Sequence, residues 1–174
     1  SELNHAIARG ELLLHYQPII DPATSRITGF EALLRWNMNH EGLINPEEFI
    51  TLAEETGIIL PLGDWVARHA LTQLKSWHRA GQTDLRMAIN ISAGQLLNSQ
   101  FLTQVMNLLQ QLALDPAYVE FEITERIACQ KDSRIISTLE LIKANRINIT
   151  IDDFGTDFSS FMNVKLLPLD RIKI

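Results

Sequence analysis

The stretch from Val119 to Gly155 reads VEFEITERIACQKDSRIISTLELIKANRINITIDDFG, and it decides the class of the fold. Two short apolar runs, Val119–Ile123 and Ile147–Ile151, predict buried strands. Between them, Ser133–Ala144 has apolar residues at helical spacing. A strand, a helix and a second strand in this order predict two parallel strands joined by a helix that packs on their sheet.

The same alternation continues on both sides of this stretch. Upstream we predict a strand at Leu85–Ile91 and a helix from about Gln100 to Leu112, and downstream a short helix at Ser159–Leu166 and a last strand at Arg171–Ile174. The series predicts an α/β fold, either a closed (β/α) barrel or an open doubly wound sheet. The barrel is favoured, because polar residues follow at least four strands and the glycine-rich fingerprint of open nucleotide-binding sheets is absent.

The N-terminal part has a different pattern. Two apolar runs, Leu12–Ile20 and Ile27–Arg35, flank a turn-forming segment and predict a strand pair. Asn45 is a predicted N-cap for a helix that ends at Gly57, and a longer helix is predicted over Leu62–Ala80. About six barrel strands result, fewer than the eight of a complete barrel, so we expect a C-terminally incomplete one.

Composition and charge restrict the classes of function. The chain has 174 residues, 46% of them hydrophobic, which suits one domain over residues 1–174 with a sizeable core. A net charge of −6 argues against binding to a nucleic-acid polymer or an anionic membrane. No apolar run is long enough for a membrane span. The single cysteine, Cys129, cannot form an internal disulfide and fits a reducing, cytoplasmic setting. Because the first residue is Ser, we expect an upstream sensor domain or anchor in the parent protein.

Residues with oxygen ligands lie at the ends of separate predicted strands: Glu31, Asn90, Glu122, Asp152 and Asp153. Each has a simpler explanation when taken alone. Glu31 suits an ion pair with Arg35, Asn90 a turn cap, and the adjacent aspartates an acidic turn. Together they form a set of hard oxygen donors without thiol or imidazole, which favours Mg²⁺ or Mn²⁺ over zinc or copper. One or two such ions would suit hydrolysis of a phosphodiester.

Other side chains complete this hypothesis. Lys173, on the last predicted strand, is a candidate for orienting the attacking water or neutralising charge in the transition state. Arg35 and Gln17 are candidates for holding phosphate oxygens. Strand alternation points Glu125 away from the face that carries Glu122, so Glu125 suits a role in bracing a loop.

As an ordered set, seven motifs make the chain resemble the EAL domain of bacterial cyclic di-GMP phosphodiesterases. They are Tyr16-Gln17-Pro18, Glu31-Ala32-Leu33-Leu34-Arg35-Trp36, Pro46-Glu47-Glu48-Phe49-Ile50, Asn90-Ile91-Ser92, Glu122-Ile123-Thr124-Glu125, Asp152-Asp153-Phe154-Gly155-Thr156 and Leu169-Asp170-Arg171-Ile172-Lys173-Ile174. The resemblance implies a modified TIM-type (β/α) barrel with an antiparallel first strand. It also implies hydrolysis of cyclic di-GMP to linear pGpG with Mg²⁺ or Mn²⁺.

The resemblance also implies a role for each matching residue. The metal ligands would be Glu31, Asn90, Glu122, Asp152 and Asp153. Glu31, Asp153 and Lys173 would take part in catalysis, Lys173 by positioning water, while Gln17 and Arg35 would contact the substrate. Glu125 and residues 154–160 would form a loop that couples metal binding to dimerisation, so a homodimer is expected. A sensor or GGDEF domain is expected upstream.

The sequence departs from the family pattern in two places. Asp157 and Phe158 stand where the family loop usually has Gly-Tyr, which affects the geometry of the loop rather than the ligands. The chain also stops at Ile174, before the family's later glutamate-containing strand and its final Gln-Gly segment. Two alternatives to an active enzyme therefore stay open. One is an inactive EAL-like module that binds cyclic di-GMP or a protein, and the other is a fragment with open strand edges.

Overall fold

The computed structural model describes residues 2–38, 42–154 and 167–173. The chain divides into two compact units, residues 1–87 and 88–174, with the boundary inside one strand. The helices and strands up to that boundary are α1 (Glu2–Arg9), β1 (Leu12–Asp21), β2 (Arg26–Asn37), β3 (Leu43–Ile44), α2 (Pro46–Thr56), α3 (Ile59–Arg79) and β4 (Arg86–Asn90). After it come α4 (Ala93–Leu97), α5 (Phe101–Leu112), β5 (Val119–Thr124), α6 (Glu125–Ala128), α7 (Ser133–Ala144), β6 (Asn148–Asp152) and β7 (Arg171–Ile172).

The first unit is built on the predicted strand pair. β1 and β2 run antiparallel, with Leu12 opposite Trp36 at one end and Asp21 opposite Arg26 at the other. The turn between them is closed by a hydrogen bond from the Ser25 backbone N–H to the Asp21 carbonyl oxygen (2.8 Å). The antiparallel first strand that the resemblance implied is therefore confirmed.

The core of the first unit joins α1 and α2 to the strand pair. Leu3 of α1 and Phe49 of α2 are almost completely buried in the same cluster as Trp36 of β2. The Trp36 ring meets Phe49 edge-on with 5.7 Å between the ring centroids, and its Nε1–H donates to the buried Glu11 carboxylate (2.9 Å). This network fixes the start of β1 against β2. α1 was not predicted from the sequence.

The two predicted helices of the first unit are confirmed. The Asn45 side chain accepts a hydrogen bond from the Glu47 backbone N–H (3.2 Å), and Gly57 has the left-handed conformation (φ 76°), as the cap residues indicated. The longer helix begins at Ile59 rather than Leu62. Pro61 lies in its first turn, where a missing backbone N–H costs nothing, so the helix extends past this residue toward its N-terminus.

Gly29 is required by a close backbone contact. A Cβ atom at this position would lie 2.5 Å from the Arg86 carbonyl oxygen. We expect Gly29→Ala to lower the free energy of unfolding by about 1–3 kcal/mol, because the carbonyl belongs to the backbone of β4 and can yield only if the strand shifts. Urea denaturation followed by circular dichroism would measure the change. An unaltered transition midpoint would contradict the close approach.

The second unit contains the parallel part of the fold. β4, β5, β6 and β7 are neighbours in this order. β5 and β6 are parallel, with Glu122 opposite Thr150, and so are β6 and β7. Five consecutive residues of β5, from Val119 to Ile123, are buried, as expected for a strand covered on both faces. The α/β class is confirmed, and α7 has its predicted bounds.

Several elements of the second unit differ from the prediction. α4 was not predicted, although Ser92 and Gln95 form a capping box that is readable in the sequence. α6, capped by the Thr124 side chain, was also missed. The predicted helix at Ser159–Leu166 lies outside the described residues. None of the described helices combines the length and apolar character that a membrane crossing requires.

Candidate metal centre

In the first unit, the structure places two of the predicted site residues side by side. Glu31 on β2 is opposite Gln17 on β1 in the antiparallel register. Residues directly opposite one another point to the same face of the sheet. Glu31 is buried (6% exposed), whereas Gln17 is exposed. A buried carboxylate and an exposed amide therefore lie opposite each other on this face of the strand pair.

Arg35 lies on β2, on the same face as Glu31 by strand alternation. Its Nη1 donates to the Leu34 carbonyl oxygen (2.8 Å), and the side chain is partly buried. This hydrogen bond restrains the guanidinium close to its own strand. Since a guanidinium has five N–H donors, one intrastrand bond is compatible with the predicted phosphate contact.

In the second unit, two acids come together. Glu122 is in the middle of β5 and is 1% exposed, and Asp152 is the last residue of β6. One carboxylate oxygen of Glu122 lies within 4.8 Å of one of Asp152. Two carboxylates so close, one of them fully buried, can both be ionised only where positive charge lies nearby.

Lys173 supplies part of that charge. Its Nζ lies 3.7 Å from Glu122 Oε1 and 3.8 Å from Asp152 Oδ1, distances typical of ion pairs rather than of short hydrogen bonds. The backbone of Lys173 is bonded on both sides, since its N–H donates to the Ile151 carbonyl (2.8 Å) and its own carbonyl accepts from Phe154 (3.1 Å). The structure thus brings three of the predicted site residues together.

Asn90 ends β4 beside this group. The backbone N–H of the next residue, Ile91, donates to the Glu122 carbonyl oxygen (2.9 Å), so the end of β4 is held against the middle of β5. The Asn90 side chain is exposed. An exposed amide at the end of a buried strand can add a neutral oxygen ligand to the two acids.

Asp153 has a backbone conformation that the sequence analysis did not predict. Its φ is 55°, in the left-handed region, and its N–H donates to Asp152 Oδ1 (3.0 Å). Aspartate tolerates this region better than most residues, but positive φ still carries strain. The chain therefore turns sharply after Asp152 while the hydrogen bond restrains the Asp152 carboxylate. The exposed side chain of Asp153 lies just beyond it.

The predicted placement of Glu125 on a strand was wrong. Alternation along β5 does not reach Glu125, because the strand ends at Thr124 and Glu125 begins α6. Glu125 is buried (2% exposed) all the same. Its backbone carbonyl accepts from the Cys129 N–H (2.9 Å). Of the loop that it was expected to brace, only Phe154 is described, and both Asp157 and Phe158 lie outside the described residues.

A second polar cluster was missed by the sequence analysis. Glu120 of β5 and Thr150 of β6 are buried (6% and 2% exposed), and Arg171 of β7 lies beside them. The signal was present, since Glu120 and Glu122 have the period of two that places residues on one face of a strand.

The donor set fits a hard divalent cation. The five predicted ligands offer only carboxylate and amide oxygens, which are suited to Mg²⁺ or Mn²⁺ and poorly suited to copper or structural zinc. The observed closeness of the Glu122 and Asp152 carboxylates favours a cation at this place.

Comparison with known sequences gives a consistent result. Residues 1–174 match the family model described as EAL domain. The bifunctional diguanylate cyclase/cyclic di-GMP phosphodiesterase MucR of Pseudomonas aeruginosa is 38% identical over 173 residues, covering 99% of this chain and 25% of MucR. The cyclic di-GMP phosphodiesterase PdeR of Escherichia coli K12 is 35% identical over 174 residues, which are 26% of its length. The chain thus spans about a quarter of these relatives.

Solved structures agree with the sequence matches. A complex of the PaMucR phosphodiesterase with c-di-GMP superposes with a TM-score of 0.93 at 38% identity, covering 99% of this chain and 70% of that one. The EAL enzyme Bd1971 in a form with cAMP and cyclic di-GMP bound gives a TM-score of 0.90 at 32% identity, covering 99% of this chain and 48% of that one.

Proposed function

Because the chain belongs to the EAL domain family, we propose that it carries the metal-binding part of a phosphodiesterase that hydrolyses cyclic di-GMP to linear pGpG. The observation that carries this proposal is the grouping of Glu122, Asp152 and Lys173, with Nζ within 3.8 Å of both acids. The names of MucR and PdeR and the nucleotide in the MucR complex support the choice of substrate.

We propose that Glu31, Asn90, Glu122, Asp152 and Asp153 hold one or two Mg²⁺ or Mn²⁺ ions. A bound divalent ion would polarise the phosphoryl oxygens and lower the pKa of water. The chain itself contributes the rigid placement of its ligands, since Glu122 and Asp152 are on paired strands and Asp152 is further restrained by the Asp153 N–H. Glu125, buried at the start of α6, would brace the adjoining loop.

The proposed reaction is an in-line displacement at phosphorus. Water adds to the phosphorus atom and gives up a proton, the bond from phosphorus to the 3′ oxygen breaks, that oxygen takes up a proton to become a 3′ hydroxyl, and the linear product keeps a 5′ phosphate. The ammonium of Lys173 would hold the attacking water and offset charge that develops on the phosphoryl oxygens. Gln17 and Arg35 would hold the substrate, Arg35 through two N–H groups directed at one phosphate.

The proposal is tested by incubating the purified chain with cyclic di-GMP and Mn²⁺, separating linear product by chromatography, and measuring nucleotide binding in parallel. A second, longer form would extend the chain at its C-terminus through the later glutamate-containing strand and the final Gln-Gly segment that the family resemblance implies. We expect product from the longer form and its loss in Glu31→Ala. Binding without turnover in both forms would indicate a binding module instead, and absence of both would contradict the proposal.

We also propose that residues 1–174 belong to one EAL domain of a longer, multidomain protein, and that this domain forms a homodimer in the cytoplasm. The small share of each relative that the chain covers and the two-activity name of MucR support a further domain, for example a sensor or GGDEF domain. Light scattering on the longer form, with and without Mn²⁺, would test the dimer.

A further inference from the structure

The missed cluster forms a second layer beneath the candidate metal centre. Its three residues each lie two positions before a member of the centre: Glu120 before Glu122 on β5, Thr150 before Asp152 on β6, and Arg171 of β7 before Lys173, which directly follows that strand. Residues two apart on a strand point to the same face and are separated by about 6–7 Å. The two layers are therefore stacked along three neighbouring strands.

Glu120 connects the strands of this second layer. Its Oε1 accepts a hydrogen bond from the Thr150 hydroxyl (2.9 Å), and its Oε2 lies 3.6 Å from Arg171 Nη1. Thr150 and Arg171 are themselves opposite each other in the parallel register. One buried carboxylate thus contacts side chains from β6 and β7, and both of its oxygens are engaged.

β7 depends on such contacts more than the longer strands β5 and β6 do. It has only two residues, Arg171 and Ile172, and both are exposed. Asp170, immediately before β7, is held by two contacts. Its carboxylate binds the Lys143 ammonium and accepts a hydrogen bond from the Ile149 backbone N–H (2.7 Å). The pair of Arg171 with Glu120 provides a side-chain link from β7 to β5, two residues before Lys173.

A buried carboxylate is costly unless its contacts offset the loss of hydration, and apolar side chains would pack the same strands at a lower cost. A positional role is a physical reason to keep Glu120 charged. The Arg171 side chain is 54% exposed and the Glu120 side chain is 7% exposed, so the pair links the surface of β7 to the interior of β5.

We propose that Glu120 and Arg171 are positioning residues that act through Lys173. Their ion pair fixes β7 against β5, so that the Lys173 ammonium stays beside both Glu122 and Asp152. The catalytic consequence rests on the proposed phosphodiester hydrolysis, whereas the position of Lys173 does not.

The kinetic test uses Arg171→Gln and Glu120→Gln in the longer form. We expect each to lower kcat by about 10–100-fold, the range for residues that orient groups at a metal site, with KM nearly unchanged. Arg171→Lys, which keeps the charge, should recover part of kcat. In a Lys173→Met background, Arg171→Gln should lower kcat no further, because the group through which it acts is gone. Equal losses in both backgrounds would overturn the proposal.

Arg146→Gln is the matched control. Arg146 and Asp115 form another ion pair of 3.6 Å in the same unit, with both side chains substantially exposed. This variant should leave kcat and KM unchanged. A loss comparable to that of Arg171→Gln would show that removing any such pair disturbs the unit, and would overturn a specific role for Arg171.

A second measurement follows Lys173 without metal or substrate. Methylating the lysines with ¹³C labels each ammonium while keeping its charge, and Lys173→Met identifies the Lys173 signal. In Arg171→Gln and Glu120→Gln this signal should sharpen and move toward that of the exposed Lys131, whereas Arg171→Lys should restore it partly. An unchanged signal would overturn the positioning role. A changed signal in a chain without turnover would support the role while contradicting the proposed reaction.

Discussion

Glu122→Gln is expected to lower kcat for cyclic di-GMP hydrolysis by about 10²–10³-fold, the size of effect that follows loss of one preorganised electrostatic group. Glutamine keeps the shape of the side chain and one oxygen, but it removes the charge at a position that is 1% exposed and 3.7 Å from Lys173 Nζ. The measurement is the rate of linear product at saturating substrate over a series of Mn²⁺ concentrations.

The same variant separates metal binding from folding. Without metal, Glu122→Gln should be at least as stable as the original chain, because it removes the desolvation cost of a buried carboxylate and its repulsion from Asp152, while Lys173 keeps Asp152 as a partner. With Mn²⁺, the original chain should gain about 2.7 kcal/mol when the ion is at 100 times its Kd, and the variant should gain much less at the same concentration. Thermal unfolding with and without Mn²⁺ would measure both effects.

Glu140→Gln is the control for this substitution. Glu140 is exposed on α7 in the same unit. Glu140→Gln therefore makes the same chemical change as Glu122→Gln, but away from the two acids. Its kcat and its stabilisation by Mn²⁺ should match those of the original chain. If Glu122→Gln behaved like Glu140→Gln, Glu122 would not be a metal ligand.

The sequence predicted the parts of the fold that have strong local signals. β5, α7 and β6 were each predicted to within one residue at either end, because buried apolar runs and a capped, periodic helix agree with one another there. α2 was predicted for the same reason, since Asn45 and Gly57 mark its two ends. The closeness of the acids on β5 and β6 also followed from local signals, because the C-terminal ends of parallel strands lie at one edge of a sheet.

The features that the sequence did not reveal depend on contacts rather than on periodicity. α6 has four residues, too few to show a helical period, and it begins at once after β5, so Glu125 was read as part of the strand. α1 is stabilised by burying Leu3 and Ala6 in a core whose other members lie outside this helix, so its own sequence does not predict it. The second polar layer needs the register of three strands, which a single segment cannot specify.

The second large effect is expected at Asp153, where charge and backbone can be tested separately. Asp153→Asn removes the carboxylate but keeps a residue that tolerates the observed φ of 55°. We expect it to lower kcat by about 10²-fold or more while the free energy of unfolding stays within about 0.5 kcal/mol of the original value. Steady-state kinetics with Mn²⁺ and urea denaturation of the metal-free protein would measure the two quantities.

Two further variants at this position complete the test. Asp153→Gly relieves the positive φ, and Asp153→Ala adds strain of about 1–2 kcal/mol, yet both remove the carboxylate. The hydrogen bond from the backbone N–H to Asp152 Oδ1 does not depend on the side chain, so the restraint on Asp152 is compatible with all three changes. If the carboxylate is a ligand, all three variants should lose at least about 10²-fold in kcat while their stabilities differ. If activity instead followed stability, with Asn and Gly active and Ala impaired, Asp153 would serve the turn and not the metal.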